Sequence, residues 1–204
     1  MKIPLRFQVT EFDCGTVSLL NAFSYLFERE EIPALLVKSI FKYTLDCYDD
    51  KGNLGQGGTS REAIKKLTKW ITNYTNENNF NVKCIRLEKE QITLEKMKEY
   101  INNDGVVFIR CYQECEHYVI ITKITKNYVY IFDPYYLDRN EHDNDNSVKM
   151  IFNKPFDYNR RIAIEIVFSE TKKDFSLGSV YNRECVLINK IKENVWRILK
   201  FMLI

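Results

Sequence analysis

The stretch His117-Tyr118-Val119-Ile120-Ile121-Thr122-Lys123-Ile124-Thr125-Lys126-Asn127-Tyr128-Val129-Tyr130-Ile131-Phe132-Asp133-Pro134 decides the fold. Residues 118–122 and 128–132 are β-branched and aromatic, a composition that suits a pleated, buried surface. Lys126-Asn127 between them is a turn signal, so the two runs pair as an antiparallel hairpin. The turn sets the start of one strand beside the end of the other, which brings His117 next to Asp133. Working outward, a strand is expected at 106–111 after the Asp104-Gly105 turn, and others at 80–87, 148–152 and 162–168. Ahead of them lies helical periodicity. Helices first and strands after is the pattern of an α+β fold, here a helical lobe at about 14–102 packed on an antiparallel sheet at about 104–168.

The first helix begins at Cys14, with Val17, Leu20, Phe23, Leu26 and Phe27 at helical spacing and Asp13 in position to cap it. A second apolar segment, 34–43, follows Pro33. The glycine-rich run 49–58 reads as a loop that ends in Thr59-Ser60-Arg61-Glu62, with Thr59 as cap and Glu62 completing a capping box. The helix it opens carries Ala63, Ile64, Leu67, Trp70 and Ile71, and the Asn-rich run 73–79 reads as loop. Thr93 opens a further helix with Leu94, Met97 and Ile101 inward. Beyond Ser169 the composition becomes more charged, which divides the chain into a main domain at 1–168 and a C-terminal appendage at 169–204. The apolar segment 195–204 reads as an amphipathic helix docked on the body, with contact to a bilayer surface as the alternative.

The chain has 204 residues, 45% hydrophobic and 28% charged, the proportions of an ordinary globule rather than a disordered or low-complexity polymer. Thirty Lys and Arg against 28 Asp and Glu leave a formal charge of +2, which gives no general attraction to nucleic acid. No apolar run reaches the eighteen or so residues of a spanning helix, so no integral membrane segment is expected. Six cysteines in 204 residues lack the density of a disulfide scaffold; reduced thiols and a cytoplasmic location follow.

Three pieces of sequence carry chemistry. Phe7-Gln8-Val9-Thr10-Glu11-Phe12-Asp13-Cys14-Gly15 places a thiol where a helix starts, so the unpaired N–H groups and the positive end of the helix dipole favour the thiolate. Gly15 is expected to leave room for a substrate, and Gln8 to offer a side-chain amide which, with the Cys14 N–H, makes an oxyanion hole. His117 supplies an imidazole held on a strand, and Asp133 accepts from its second nitrogen, fixing the tautomer.

Gln8 with Asp13-Cys14-Gly15, then Gly58-Thr59-Ser60 opening a helix, His117-Tyr118-Val119 and Asp133-Pro134 resemble the bacteriocin-processing, double-glycine leader peptidases of the papain-like cysteine peptidase fold. The matching residues occur in the family's order and span most of 1–168. The resemblance implies Cys14 as nucleophile, His117 as general base and acid, Asp133 as its orienter and Gln8 as oxyanion donor. It implies cleavage of a leader peptide after a Gly-Gly pair, with no cofactor. The transporter-linked members carry a membrane domain and an ATPase, and no Walker-type glycine loop occurs in this sequence.

Alternative readings use the same residues. An acyltransferase would share the triad and pass the acyl group to an amine. A catalytically idle module would keep the fold and bind peptide. Cys111, Cys115 and His117 offer two thiols and an imidazole to zinc, at a spacing unlike the usual knuckles, and this would take His117 out of catalysis. The acidic run 138–146, which includes His142, lacks calcium-loop spacing and reads as a solvated loop.

Overall fold

The computed structural model of the chain describes residues 1–137 and 147–191. Expectations for the acidic run and for the C-terminal helix at 195–204 fall outside the described residues. Helix α1 (Cys14–Leu26) runs through the interior, buried on every side from Cys14 to Ser24. Helix α2 (Ala34–Tyr43) packs against it, and α3 (Arg61–Asn78) packs on α2. Then follow β1 (Val82–Glu88), α4 (Leu94–Asn102), β2 (Val106–Gln113), β3 (Cys115–Ile124), β4 (Tyr128–Phe132), β5 (Val148–Met150), β6 (Arg160–Ala163), α5 (Ile164–Val167) and β7 (Glu184–Lys190).

The seven strands form one antiparallel sheet in the order β1-β7-β2-β3-β4-β6-β5. Side chains alternate across it. Phe108, Tyr118, Ile120 and Phe132 join α1, α2 and α3 in one core. Val107, Ile109, Val119 and Ile121 face the other core, with Met97 of α4 and Val167 at the end of α5. The chain is thus an α+β fold with helices on an antiparallel sheet.

The 117–134 hairpin forms, with Ile124 opposite Val129 near the turn and, past a register shift between Ile121 and Lys123, Ile121 opposite Ile131 and Ile120 opposite Phe132. Several local expectations are corrected. The cap of α3 is Ser60, whose Oγ accepts from the Ala63 N–H at 3.0 Å; Thr59 lies one residue earlier, its Oγ1 accepting from Leu45 N–H. The Asn-rich run is helical as far as Asn78, because Trp70 and Tyr74 stack on each other and Tyr74 lies against Phe80, adding packing that outweighs weak intrinsic propensity. Residues 162–168 divide between the end of β6 and the short helix α5. The 14–102 lobe also contributes strand β1 to the sheet.

The boundary expected at 168/169 does not divide the sheet, since β7 lies hydrogen-bonded between β1 and β2. Phe175, Leu177, Cys185, Val186, Leu187 and Ile188 are buried. Sequence composition responds to exposed charge around 170–174, whereas the buried strand that follows finds its partners some 80 to 100 residues back.

Candidate active site

Cys14 stands at the first position of α1 and is buried. One turn along, the buried Ser18 Oγ donates to the Tyr118 carbonyl at 2.8 Å. That bond fastens the turn carrying the thiol to the strand position adjoining His117. Gly15 makes the approach possible in a way the sequence reading did not anticipate. A Cβ there would lie 2.7 Å from Thr59 Oγ1, 2.8 Å from Thr59 Cβ and 3.2 Å from Tyr118 Cδ2. The space beside the thiol on that side is filled by protein, and the glycine admits the Thr59 loop rather than a substrate.

Asp13 occupies the N-cap position of α1, but its carboxylate turns backward. It accepts from Thr10 N–H and Thr10 Oγ1, each at 3.1 Å, and makes no side-chain cap to α1. The bonds shape the loop that carries Gln8. Gln8 itself is anchored by its backbone N–H to the Pro134 carbonyl at 2.8 Å, and Phe7 packs on Phe132 and Tyr136. The N-terminal segment is thereby held against the Asp133-Pro134 end of the hairpin. The Gln8 side-chain nitrogen donates to the Thr10 carbonyl at 2.9 Å, so one of its two hydrogens is engaged locally.

His117 Nε2 lies 2.8 Å from Asp133 Oδ1, with both groups buried. With Nε2 taken by the carboxylate, Nδ1 is the nitrogen left over, and Cys14 is among the groups that act on the ring's proton affinity. Burial alone pulls the imidazole toward its neutral form; the hydrogen bonds with Asp133 and Cys14 and their charges outweigh it and raise the pKa to about 10. The ring is therefore protonated at neutral pH, a cation held between a carboxylate and a sulfur.

Two residues that the sequence reading missed complete the surroundings of Asp133. Asn159 brackets its peptide groups: Oδ1 accepts from the Asp133 N–H at 2.8 Å and Nδ2 donates to the Asp133 carbonyl at 2.7 Å. Arg160 places Nη2 at 3.5 Å from Asp133 Oδ2 and donates to the Tyr135 and Asn159 carbonyls. A usable signal was present. An arginine beginning a strand with a buried face requires a carboxylate partner.

A cavity of about 490 Å³ opens beside Cys14, walled by Phe12, Cys47, the Gly57-Gly58 backbone, Thr59, Arg61 and Tyr118. Gly57 is required there because a Cβ would meet the Tyr48 carbonyl at 2.6 Å. A roomier hollow of about 640 Å³ lies at Tyr25, Asn81 and Lys190, among residues that take no part in the thiol–imidazole arrangement. Cys111, buried, and Cys115, exposed, do not combine with His117 as ligands; among the described residues no three His, Cys, Asp or Glu side chains converge to hold a metal ion. No helix among those residues is long and apolar enough to cross a membrane.

The profile of the Peptidase C39 family matches residues 2–156. Among solved structures, a double-glycine motif protease from an AMS/PCAT transporter, in complex with the leader peptide, is 16% identical over 93% of this chain and 92% of that one, with a TM-score of 0.48. A C39-like peptidase from Bacillus anthracis is 14% identical over 93% of this chain and 96% of that one, with a TM-score of 0.51, a likeness of fold. No curated protein matches the chain.

Proposed function

The chain belongs to the Peptidase C39 family, in the papain-like cysteine peptidase clan, and from that premise we propose that it hydrolyses a peptide amide through an acyl-enzyme on Cys14. The observation that carries the reading is the His117 ring, held to Asp133 at 2.8 Å and raised in pKa by both Asp133 and Cys14. A protonated imidazole beside a sulfur favours the thiolate, the nucleophilic form. The sulfur attacks the scissile carbonyl carbon, and the carbonyl electrons move onto oxygen. The Cys14 N–H and the second hydrogen of the Gln8 amide are the donors assigned to that oxyanion. As the C–N bond breaks, His117 gives its Nδ1 proton to the leaving amine. Water, deprotonated by the now neutral imidazole, attacks the thioester and releases the acid, restoring the thiolate and imidazolium. Asp133 holds the ring in place and stabilises its charge throughout.

The substrate we propose is a leader peptide cut after a Gly-Gly pair, the substrate the double-glycine peptidases share. A residue pair without side chains suits a cleft whose wall beside the thiol is backbone at Gly57-Gly58 and closely set at Thr59. A thiolate nucleophile works only when reduced, which favours the cytoplasm.

The test pairs a thiol-directed acyl probe with a leader-peptide reporter. The wild type is expected to be labelled and to cut the reporter, while Cys14→Ala stays folded, unlabelled and inactive. Unchanged labelling of the alanine variant would refute the assignment of Cys14. Equal cleavage of a reporter with Ala-Ala in place of Gly-Gly would overturn the substrate.

A further inference from the structure

Asp133 is fully buried, and its two oxygens are served unequally. Oδ1 receives His117 Nε2 and the Tyr135 N–H, each at 2.8 Å. Oδ2 has no hydrogen-bond donor among the described residues, and the cation near it is the Arg160 guanidinium at 3.5 Å. Arg160 is 2% exposed and is steadied by its bonds to the Tyr135 and Asn159 carbonyls. Its strand keeps it there, with Arg160 opposite Ile131 in the β4–β6 register. A buried carboxylate with one oxygen unsatisfied is costly unless a positive charge compensates it.

We propose that Arg160 is a positioning residue of the site: it holds the Asp133 carboxylate aimed at His117, and its positive charge tempers how tightly the imidazole holds its proton. This rests on the reading of Cys14, His117 and Asp133 given above. The groups facing His117 are Cys14 from α1, Asp133 from the end of β4, Arg160 behind it on β6 and the buried Cys111 thiol opposite it on β2. Glu116, next along β3, is paired with Arg110. Removing the Arg160 charge leaves the Asp133 field on the ring less compensated, so the imidazolium is held more strongly. A general acid that releases its proton less readily slows turnover without affecting binding.

The test follows the His117 ring by NMR in the full chain. The signal is assigned by loss in His117→Asn, which suffices because the chain has two histidines. The Cys14→Ala background removes the sulfur's share of the upward shift and brings the titration into a convenient range. There, R160Q is expected to move the His117 midpoint upward by about one pH unit, and R160K to leave it near the parent value. With Cys14 restored, R160Q is expected to lower kcat about tenfold with KM within about threefold, and R160K to recover most of it. A midpoint unmoved or lowered in R160Q, or equal losses in R160K and R160Q, would overturn the proposal. Should R160Q fail to fold, R160K carries the test alone, since a purely packing role would not spare the midpoint and kcat in the shorter side chain. The titration reads the ring without turnover, so failure of the peptidase assignment and failure of this inference give different results.

Discussion

His117 and Tyr118 are neighbours in the chain, and each leads to a buried carboxylate of a different kind. Tyr118 Oη donates to Glu184 Oε1 at 2.9 Å, where Arg110 Nε also approaches at 3.5 Å. The other Glu184 oxygen takes Arg86 Nη2 at 2.7 Å and Arg61 Nε at 3.6 Å. Arg110 and Arg86 are in turn paired with Glu116 and Glu88. Every oxygen is answered, which makes a brace joining β1, β2, β3 and β7 to the start of α3. At Asp133 the imidazole that answers one oxygen still has a second nitrogen, and the same ring feels the Cys14 thiol, which lies beside a cavity. Both oxygens of Glu184 are met by cations or a hydroxyl, whereas Asp133 leaves Oδ2 without a hydrogen-bond donor among the described residues.

Four measurements break or sharpen that contrast, in order of expected effect. D133N removes the charge that supports the imidazolium and is expected to lower kcat by about 10²–10⁴ with the fold retained; steady-state cleavage of the leader reporter checks it, and a loss below tenfold would erase the distinction. E184Q leaves three guanidinium groups around a neutral amide and is expected to cost about 3–5 kcal/mol in denaturant unfolding. The pH profile of whatever folded protein remains should match the wild type. An altered profile would mean that the brace reaches the chemistry.

The third measurement is stability against pH. The folded pKa of His117, about 10, lies above the roughly 6.5 of a free imidazole. Its contribution is therefore complete below about pH 6.5 and is lost as pH rises toward 10. Between about pH 7 and pH 9 the wild type is expected to lose about 2 kcal/mol more than His117→Asn, at about 1.4 kcal/mol per pKa unit. Parallel curves would contradict a charged ring. Last, Gly15→Ala presses a Cβ onto Thr59 and is expected to cost about 1–2 kcal/mol in chemical denaturation. A neutral result would show that the Thr59 loop gives way more easily than its contacts imply.

Much of the site was legible because its signals are local. The helix beginning at Cys14 declares itself by apolar spacing over 17–27. A short hairpin turn brings His117 and Asp133 to the same end of the paired strands, although the register shift between Ile121 and Lys123 is not written in the turn. The misread features depend on contacts made elsewhere. Thr59 and Ser60 are both good caps by type, and Ser60 takes the role while Thr59 fits against Gly15. The run 73–79 looks like loop until the Trp70–Tyr74 stack and Phe80 are in place. Asn159 and Arg160 carry no motif, and their meaning comes from the pairing of β6 with β4.

By itself the sequence determined the α+β class, the helix that starts at the thiol and the hairpin that delivers the imidazole and its carboxylate. Periodicity and turn chemistry act over a few residues and leave their record in the order of side chains. Tertiary structure alone decided that β7 enters the sheet between β1 and β2, that Glu184 gathers three arginines and that Arg160 stands behind Asp133. Those pairings join residues from 27 to 123 positions apart in the chain. They are selected by burial and by the need to satisfy charge once the core has closed, a requirement that exists only in the folded chain.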